Sequence, residues 1–245
     1  MSTYIISDLH LSEDNPVLTK AFASFYRKLM LNDKLIIAGD LFDFFVGLDP
    51  SDRLQQQVAQ IIKEAGARGV QTYFQVGNRD FLIDKKAADF MGMKLLPDLY
   101  TIPTKGGKAL LMHGDELCMF DKNFRRYRNL TKNRLVLFLF KLLLPLSIKR
   151  KIGAALRKKS KAQESLRELD ANKIKLIHEA ATRYLQATGC SILIHGHFHI
   201  YGAHNNEFES CTLRLSLGSW GKFYSYVIVD RTRFNLAQNH LEKLF

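Results

Sequence analysis

The chain has 245 residues, 47% of them hydrophobic and 24% charged, which suits a soluble globular protein with a sizeable core. Its three cysteines, Cys118, Cys190 and Cys211, are scattered with no CxxC pair, which excludes a disulfide framework or a zinc ribbon and suits a reducing compartment. The net charge of +12 is concentrated between Asp121 and Lys161, where fourteen Lys/Arg face one acidic residue, so the remainder of the chain is close to neutral.

In chain order, the opening MSTYIISDLH has no basic segment leading into a long apolar stretch, so no signal peptide is expected. YIIS (4–7), KLIIAG (34–39), TYFQV (72–76) and KALLM (108–112) read as short strands. The segments between the first three read as helices, over 17–31 with Leu18, Phe22, Phe25 and Leu29 on one face, and over 53–65 with Leu54, Val58, Ile61 and Ile62. Strand–helix alternation predicts a layered α/β architecture. SILIH (191–195), TLRLSL (212–217) and YSYVIVD (224–230) read as later strands, expected to be antiparallel additions that complete a sandwich. The expected division is a core of residues 1–120 and 166–245 with a helical insertion at 121–165.

The insertion carries an aromatic-basic segment, DKNFRRYRN, followed by the fourteen-residue apolar run LVLFLFKLLLPLSI (135–148). That run holds Lys141 and Pro145 and is too short to cross a bilayer as a helix, so two short helices forming a cap are expected, with Pro145 ending or kinking one of them. An apolar run between Arg/Lys clusters suits acyl chains beside a phosphate, or a helix lying at an anionic membrane interface. A competing expectation is that Leu135, Leu139 and Leu142 simply pack the cap onto the core.

The polar residues fall in a pattern. Asp8 and His10 follow the first strand, Asp40 the second, Asn78, Arg79 and Asp80 the third, and His113 and Asp115 the fourth; His195, His197 and His199 end the fifth. Metal-capable residues thus recur at the C-terminal ends of strands, the edge of an α/β sheet where ligands bind. Asp, His and Asn without Cys suit hard-to-borderline divalent ions such as Mn, Fe or Zn. A carboxylate such as Asp40 can bridge two ions, and Arg79 beside Asn78 suits the charge of a phosphoryl group.

D-x-H, G-D, G-N-R-D, H-G-D and G-H-x-H, in this order, resemble the calcineurin-like metallophosphoesterases. The resemblance implies a sandwich of two mixed sheets flanked by helices with a dinuclear centre at its edge. One ion would take Asp8, His10, Asp40 and His199, the other Asp40, Asn78, His113 and His197. DLFDFFVG (40–47), GNRDFL (77–82), HGDELC (113–118), LPLSIKRKI (144–152) and HGHFH (195–199) are similar, within that group, to the UDP-2,3-diacylglucosamine pyrophosphohydrolases of the lipid A pathway. This implies manganese as the usual ion, hydrolysis of the UDP-sugar pyrophosphate by an activated water, and catalytic roles for Asp40, Asn78, Arg79 and His113. It implies substrate contacts from Asn78, Arg79, Asp121, Ser160 and His197, with Arg167 standing nearby. It also implies a monomer at the cytoplasmic face of a bacterial inner membrane, with no nucleic-acid partner. Two features depart from the family pattern. Phe198 stands between the two ligands of G-H-x-H, and KAQESLRELD (161–170) lacks the expected Asn and Lys. The competing readings are a phosphodiesterase or nuclease of the same fold, gripping another anionic substrate with the basic insertion, and a scaffold that lost catalysis, which the complete ligand set disfavours.

Overall fold

The structure of the protein, a computed structural model, describes residues 1–164, 170–205 and 213–245. The chain runs β1 (Thr3–Ile6), α1 (Pro16–Arg27), β2 (Lys34–Ala38), α2 (Arg53–Ala67), β3 (Gln71–Gln75), α3 (Lys85–Met91), β4 (Lys94–Leu95), β5 (Tyr100–Thr104) and β6 (Gly107–Leu111). It continues with α4 (Lys122–Lys132), α5 (Arg134–Leu143), α6 (Leu146–Glu164), α7 (Ala171–Thr188), β7 (Ile192–His195), β8 (Gly202–Asn205), β9 (Leu213–Ser216), β10 (Phe223–Val229) and β11 (Phe234–His240).

Among the described residues the strands form a six-stranded sheet, β11-β10-β1-β2-β3-β4, and a five-stranded sheet, β5-β6-β7-β9-β8. β1, β2 and β3 pair in parallel because helices provide their crossovers, and β10 closes on β1 antiparallel. Strand periodicity divides the core. Ile5, Ile36 and Ala38 meet Ala109, Leu111, Ile192 and Ile194 between the sheets. Ile6, Leu35 and Ile37 face the other way, onto Phe22 and Phe25 of α1 and Val58 and Ile62 of α2. α7 covers the second sheet through Ile177, Ala181 and Leu185 against Leu110 and Leu193. The outcome is the expected sandwich of two mixed sheets flanked by helices. Burying each such Leu, Ile or Phe contributes about 1.5–3 kcal/mol.

Local chemistry sets the helix ends. Asp52, Asp84 and Asp170 cap α2, α3 and α7 by accepting from Gln55, Ala87 and Lys173 main-chain N–H groups. The helix expected over 17–31 ends at Arg27. The Lys28 and Leu29 N–H groups turn back to the Phe25 and Tyr26 carbonyls, and Leu29 is buried outside the helix.

Two expectations are corrected. The strands after residue 190 are not simply antiparallel additions: β7 pairs in parallel with both β6 and β9, because α7 carries the chain back over the sheet between β6 and β7. The segment expected as two short helices forms three, since the basic residues beyond Pro145 extend α6 as far as Glu164. Pro145 lies between α5 and α6, as its missing N–H requires. These helices lie on the remainder of the chain through Leu137 and Phe140, which join the core beneath α5. Ion pairs add to this: Lys132–Asp98 at 3.0 Å, Lys141–Asp84 at 2.7 Å, and Arg150 with Asp49. Leu135, Leu139 and Leu142 face solvent, so they are not what packs α5 down.

Candidate active site

The loops at the C-terminal ends of β1, β2, β3, β6 and β7 meet at one edge of the sandwich. Main-chain hydrogen bonds lace them together: Asp8 N–H donates to the Gly39 carbonyl, His10 N–H to the Asp40 carbonyl, and Gly196 N–H to the His113 carbonyl. The backbone itself is strained there. Asp8, His10, Asp40, His197 and His199 all have φ between 50° and 69°, a left-handed conformation that L-residues rarely adopt. Such strain persists where the surrounding structure over-determines it, and it clusters at functional sites. The loops also approach so closely that a Cβ on Gly39, itself at φ +85°, would stand 2.5 Å from His113 Nδ1.

The side chains converge in two groups. In the first, His10 Nε2 and His199 Nε2 are 3.0 Å apart, and Asp8 Oδ1 lies 3.4 Å from the latter and 3.9 Å from the former. Asp8 Oδ2 is saturated by the Ser7 hydroxyl at 2.6 Å and the His197 N–H at 3.0 Å. Asp8 Oδ1 is buried and accepts no hydrogen bond among the described residues. In the second group, Asn78 Oδ1 is 3.0 Å from His113 Nε2 and 2.8 Å from His197 Nδ1, and His113 Nε2 is 3.5 Å from Asp40 Oδ1. Asp8, Asp40 and His113 also bring ligand atoms within 4.8 Å of one another, which joins the two groups.

The electrostatics favour added positive charge. Burial pulls the His113 pKa down, but Asp40, Asp8 and Asp115 outweigh it and push it up to about 9. Burial likewise opposes ionisation of Asp8, yet His199, His113 and His10 hold its carboxyl below the usual range. A buried carboxylate oxygen with no donor, facing imidazole nitrogens and a second carboxylate with no thiolate present, fits hard-to-borderline divalent ions.

A surrounding set of groups holds these side chains. Asp80 accepts from the Leu41 N–H at 2.7 Å and the Gly77 N–H at 2.8 Å, bolting the loop of Asp40 to the loop of Asn78. His195 is fully buried, and burial and Arg214 push its pKa down to about 3. Arg214 can only donate, so at 3.2 Å it fixes His195 Nε2 as the acceptor, and Nδ1–H donates to the Gly196 carbonyl at 2.9 Å. His195 is therefore a structural neighbour of the site and not one of its donors. On its other side Arg214 Nη2 lies 3.3 Å from His178 Nε2 of α7. From α4, the Tyr127 hydroxyl donates to the Asn78 carbonyl at 3.0 Å, and the Phe124 ring lies 5.2 Å from that of His197.

The structure thus brings together Asp8, His10, Asp40, Asn78, Arg79, His113, His197 and His199. Asp121 is the cap of α4, its Oδ1 accepting from Asn123 and Phe124 N–H groups at 2.9 Å. Ser160 belongs to the backbone of α6; its side chain and all of Arg167 lie outside the described residues. Asp43 stands in DLFDFFVG, Tyr127 in DKNFRRYRN and Arg157 in the R-x-x-S-K that follows LPLSIKRKI, but local order does not show that Asp43 pairs with Arg79 and Arg157 or that Tyr127 reaches Asn78, because these contacts join distant segments.

Comparison with known proteins accords with this geometry. Residues 1–201 match the calcineurin-like phosphoesterase family, whose members use a dinuclear divalent metal site. The chain is 40% identical over 228 residues to a protein of Haemophilus influenzae (strain PittGG) named UDP-2,3-diacylglucosamine hydrolase, covering 92% of this chain and 93% of that one. It is 38% identical to the protein of that name from Histophilus somni (strain 129Pt), over 95% of this chain and 97% of the other. To the protein of that name from Edwardsiella ictaluri (strain 93-146) it is 36% identical, over 97% and 92%. With its motifs, sandwich and two donor groups in agreement, the chain belongs to the calcineurin-like phosphoesterases, a hydrolase family, among the relatives that form the UDP-2,3-diacylglucosamine hydrolases.

Proposed function

We propose that the protein hydrolyses the pyrophosphate bond of UDP-2,3-diacylglucosamine, yielding UMP and 2,3-diacylglucosamine 1-phosphate, with manganese as its ion. The observation that carries this reading is the pair of joined donor groups at the sandwich edge, in a chain whose helix α5 also turns an aliphatic face to solvent. In this reading Asp8, His10, Asp40 and His199 hold one ion, and Asp40, Asn78, His113 and His197 the other. When bound, two such ions supply Lewis acidity at the phosphoryl oxygens and a water nucleophile at neutral pH. The protein's own part is positional. Asp80 keeps the Asp40 and Asn78 loops in register, and His195 and Gly196 hold the loop of His197. Arg79 offers a permanently charged guanidinium for the phosphoryl charge. No side-chain nucleophile is required.

Residues 121–165 act as a cap over this edge, with Asn78, Arg79, Asp121, Ser160, Arg167 and His197 touching the substrate. Leu135, Phe138, Leu142 and Leu143 of α5 are each at least 59% exposed, on the side opposite the core-packed Leu137 and Phe140. This face, flanked by lysines and arginines, meets acyl chains or an anionic membrane surface. In this reading the contact is peripheral, at the cytoplasmic face of the inner membrane. No helix among the described residues is long and apolar enough to cross a membrane. An exposed aliphatic face of this kind disfavours a nuclease, whose grooves combine basic and aromatic residues. The protein acts as a monomer.

The test is an assay of UDP-2,3-diacylglucosamine with and without added Mn. Release of UMP that depends on Mn is expected. Absence of UMP release under metal-replete conditions, with hydrolysis of another phosphodiester, would sink the substrate assignment.

A further inference from the structure

The direction of Arg79 is set by carboxylates on both sides. Its main-chain N–H donates to Asp40 Oδ1 at 2.9 Å, and its Nε lies 3.6 Å from Asp40 Oδ2. Its Nη1 donates to Asp43 Oδ1 at 2.8 Å. The other oxygen of the same carboxylate, Asp43 Oδ2, accepts from Arg157 Nε of α6 at 2.5 Å, and Arg157 Nη2 donates to Asp14 Oδ2 at 2.9 Å. Five side chains therefore alternate in sign from Asp40 at the centre to Asp14 at the surface. The Asp43 side chain is only 8% exposed, so its charge is weakly screened by water.

The backbone supports the same arrangement. Asp43 N–H donates to the Leu11 carbonyl at 3.0 Å, and Phe45 N–H donates to the Arg79 carbonyl at 2.9 Å. α6 lies directly on this loop at Gly153, where a Cβ would meet Val46 Cγ1 at 2.5 Å and Phe44 Cδ1 at 3.0 Å. Arg157 follows Gly153 by one helical turn and so shares its face. A glycine at 153 brings the helix close enough for Arg157 to reach Asp43.

We propose that Asp43 is a positioning residue that aims Arg79 at the phosphoryl group and, through Arg157, ties that aim to the seating of α6 on the core. The inference rests on the role given to Arg79 in the proposed function. Its physical basis is simple. A guanidinium cannot deprotonate in a protein, so without the Asp43 charge Arg79 and Arg157 face each other as like charges with no anion between them. Arg79 then leaves its place, and a displacement of about 1 Å in a positioning group can cost on the order of a hundredfold in rate.

The test compares the Mn-loaded full chain with Asp43→Asn, Asp43→Glu, Arg79→Lys and the Asp43→Asn/Arg79→Lys double variant, reading kcat, KM and bound Mn. Asp43→Asn is expected to lower kcat by about tenfold to a hundredfold with bound Mn unchanged. Asp43→Glu should recover part of it by restoring the charge. The double variant should be no slower than Arg79→Lys alone, because both changes remove one effect. A kcat for Asp43→Asn within twofold of wild type, or losses that multiply in the double variant, would overturn the proposal. If Asp43→Asn fails to fold, Gly153→Ala substitutes for it: lifting α6 should lower kcat with Asp43 and bound Mn intact, and an unchanged kcat overturns the coupling. A wild-type chain that releases no UMP counts against the substrate assignment alone. The same variants are then compared on bis(4-nitrophenyl) phosphate.

Discussion

His10 and His199 point their Nε2 atoms at each other across 3.0 Å, with the buried Oδ1 of Asp8 beside both. Two ring nitrogens so placed can share at most one proton, and a cation held by all three relieves the opposition of lone pairs. His199→Ala should therefore lower bound Mn by one ion per chain while leaving the far-ultraviolet circular dichroism unchanged. Mass-spectrometric metal analysis checks this, and full metal occupancy in the variant would contradict the assignment.

Asp40 faces both donor groups, and Asn78 Oδ1 joins His113 to His197. Asp40→Ala and Asn78→Ala should each abolish turnover in metal-defined buffer without unfolding the chain. Near wild-type rates in either variant would refute the two-ion reading.

Asp80 satisfies two buried main-chain N–H groups on different loops. Removing it orphans both, at about 1–3 kcal/mol for each buried unsatisfied group. Urea denaturation of Asp80→Ala should show a loss of that order, and Asp80→Asn, which keeps one acceptor oxygen, should lose less. Equal stability of the alanine variant and the wild type would show that the two loops hold together by other means.

His195 supplies a pH dependence. Burial and Arg214 bring its pKa down to about 3 in the folded chain, against 6.5 for an ordinary histidine. Between these values the unfolded chain binds a proton that the folded chain does not. Its contribution is complete above the ordinary value and is lost as pH falls towards 3, with a slope of at most about 1.4 kcal/mol per pH unit. The acid limb of a stability–pH curve should be shallower in His195→Gln. An identical limb would mean that other groups account for acid sensitivity.

The outward face of α5 gives a separate prediction. Replacing Phe138 and Leu142 by serine removes exposed apolar surface without touching Leu137 or Phe140, which pack inward. Binding to vesicles containing anionic phospholipid should weaken at least several-fold, and KM on micellar substrate should rise, with thermal stability unchanged. Vesicle binding equal to wild type would place the membrane contact elsewhere.

Much of this was legible in the amino-acid order. Short apolar runs located β1, β2, β3 and β6, and a 3.6-residue pattern located α2, each to within a residue or two, because a strand buried on both faces is apolar throughout and a helix with one buried face repeats apolar residues at its own pitch. The motifs placed Asp8, His10, Asp40, Asn78, His113, His197 and His199 at strand ends, which is a property of local order. Sequence could not show that β7 runs parallel to its neighbours, since pairing direction depends on where α7 carries the chain. Nor could it decide which leucines of 135–143 face out, because an apolar run reads the same whether it meets a core or solvent. Arg157 and Asp43 are 114 residues apart, and no spacing rule joins them.

The donor set with which the chemistry begins was thus written in the sequence, residue by residue. Its arrangement was not. Five of the seven donors hold a left-handed backbone that their residue types disfavour, and only loops laced together across the sandwich edge can impose it. Local order selects the residue types and the strand ends, whereas long-range packing fixes the angles and distances at which those residues meet.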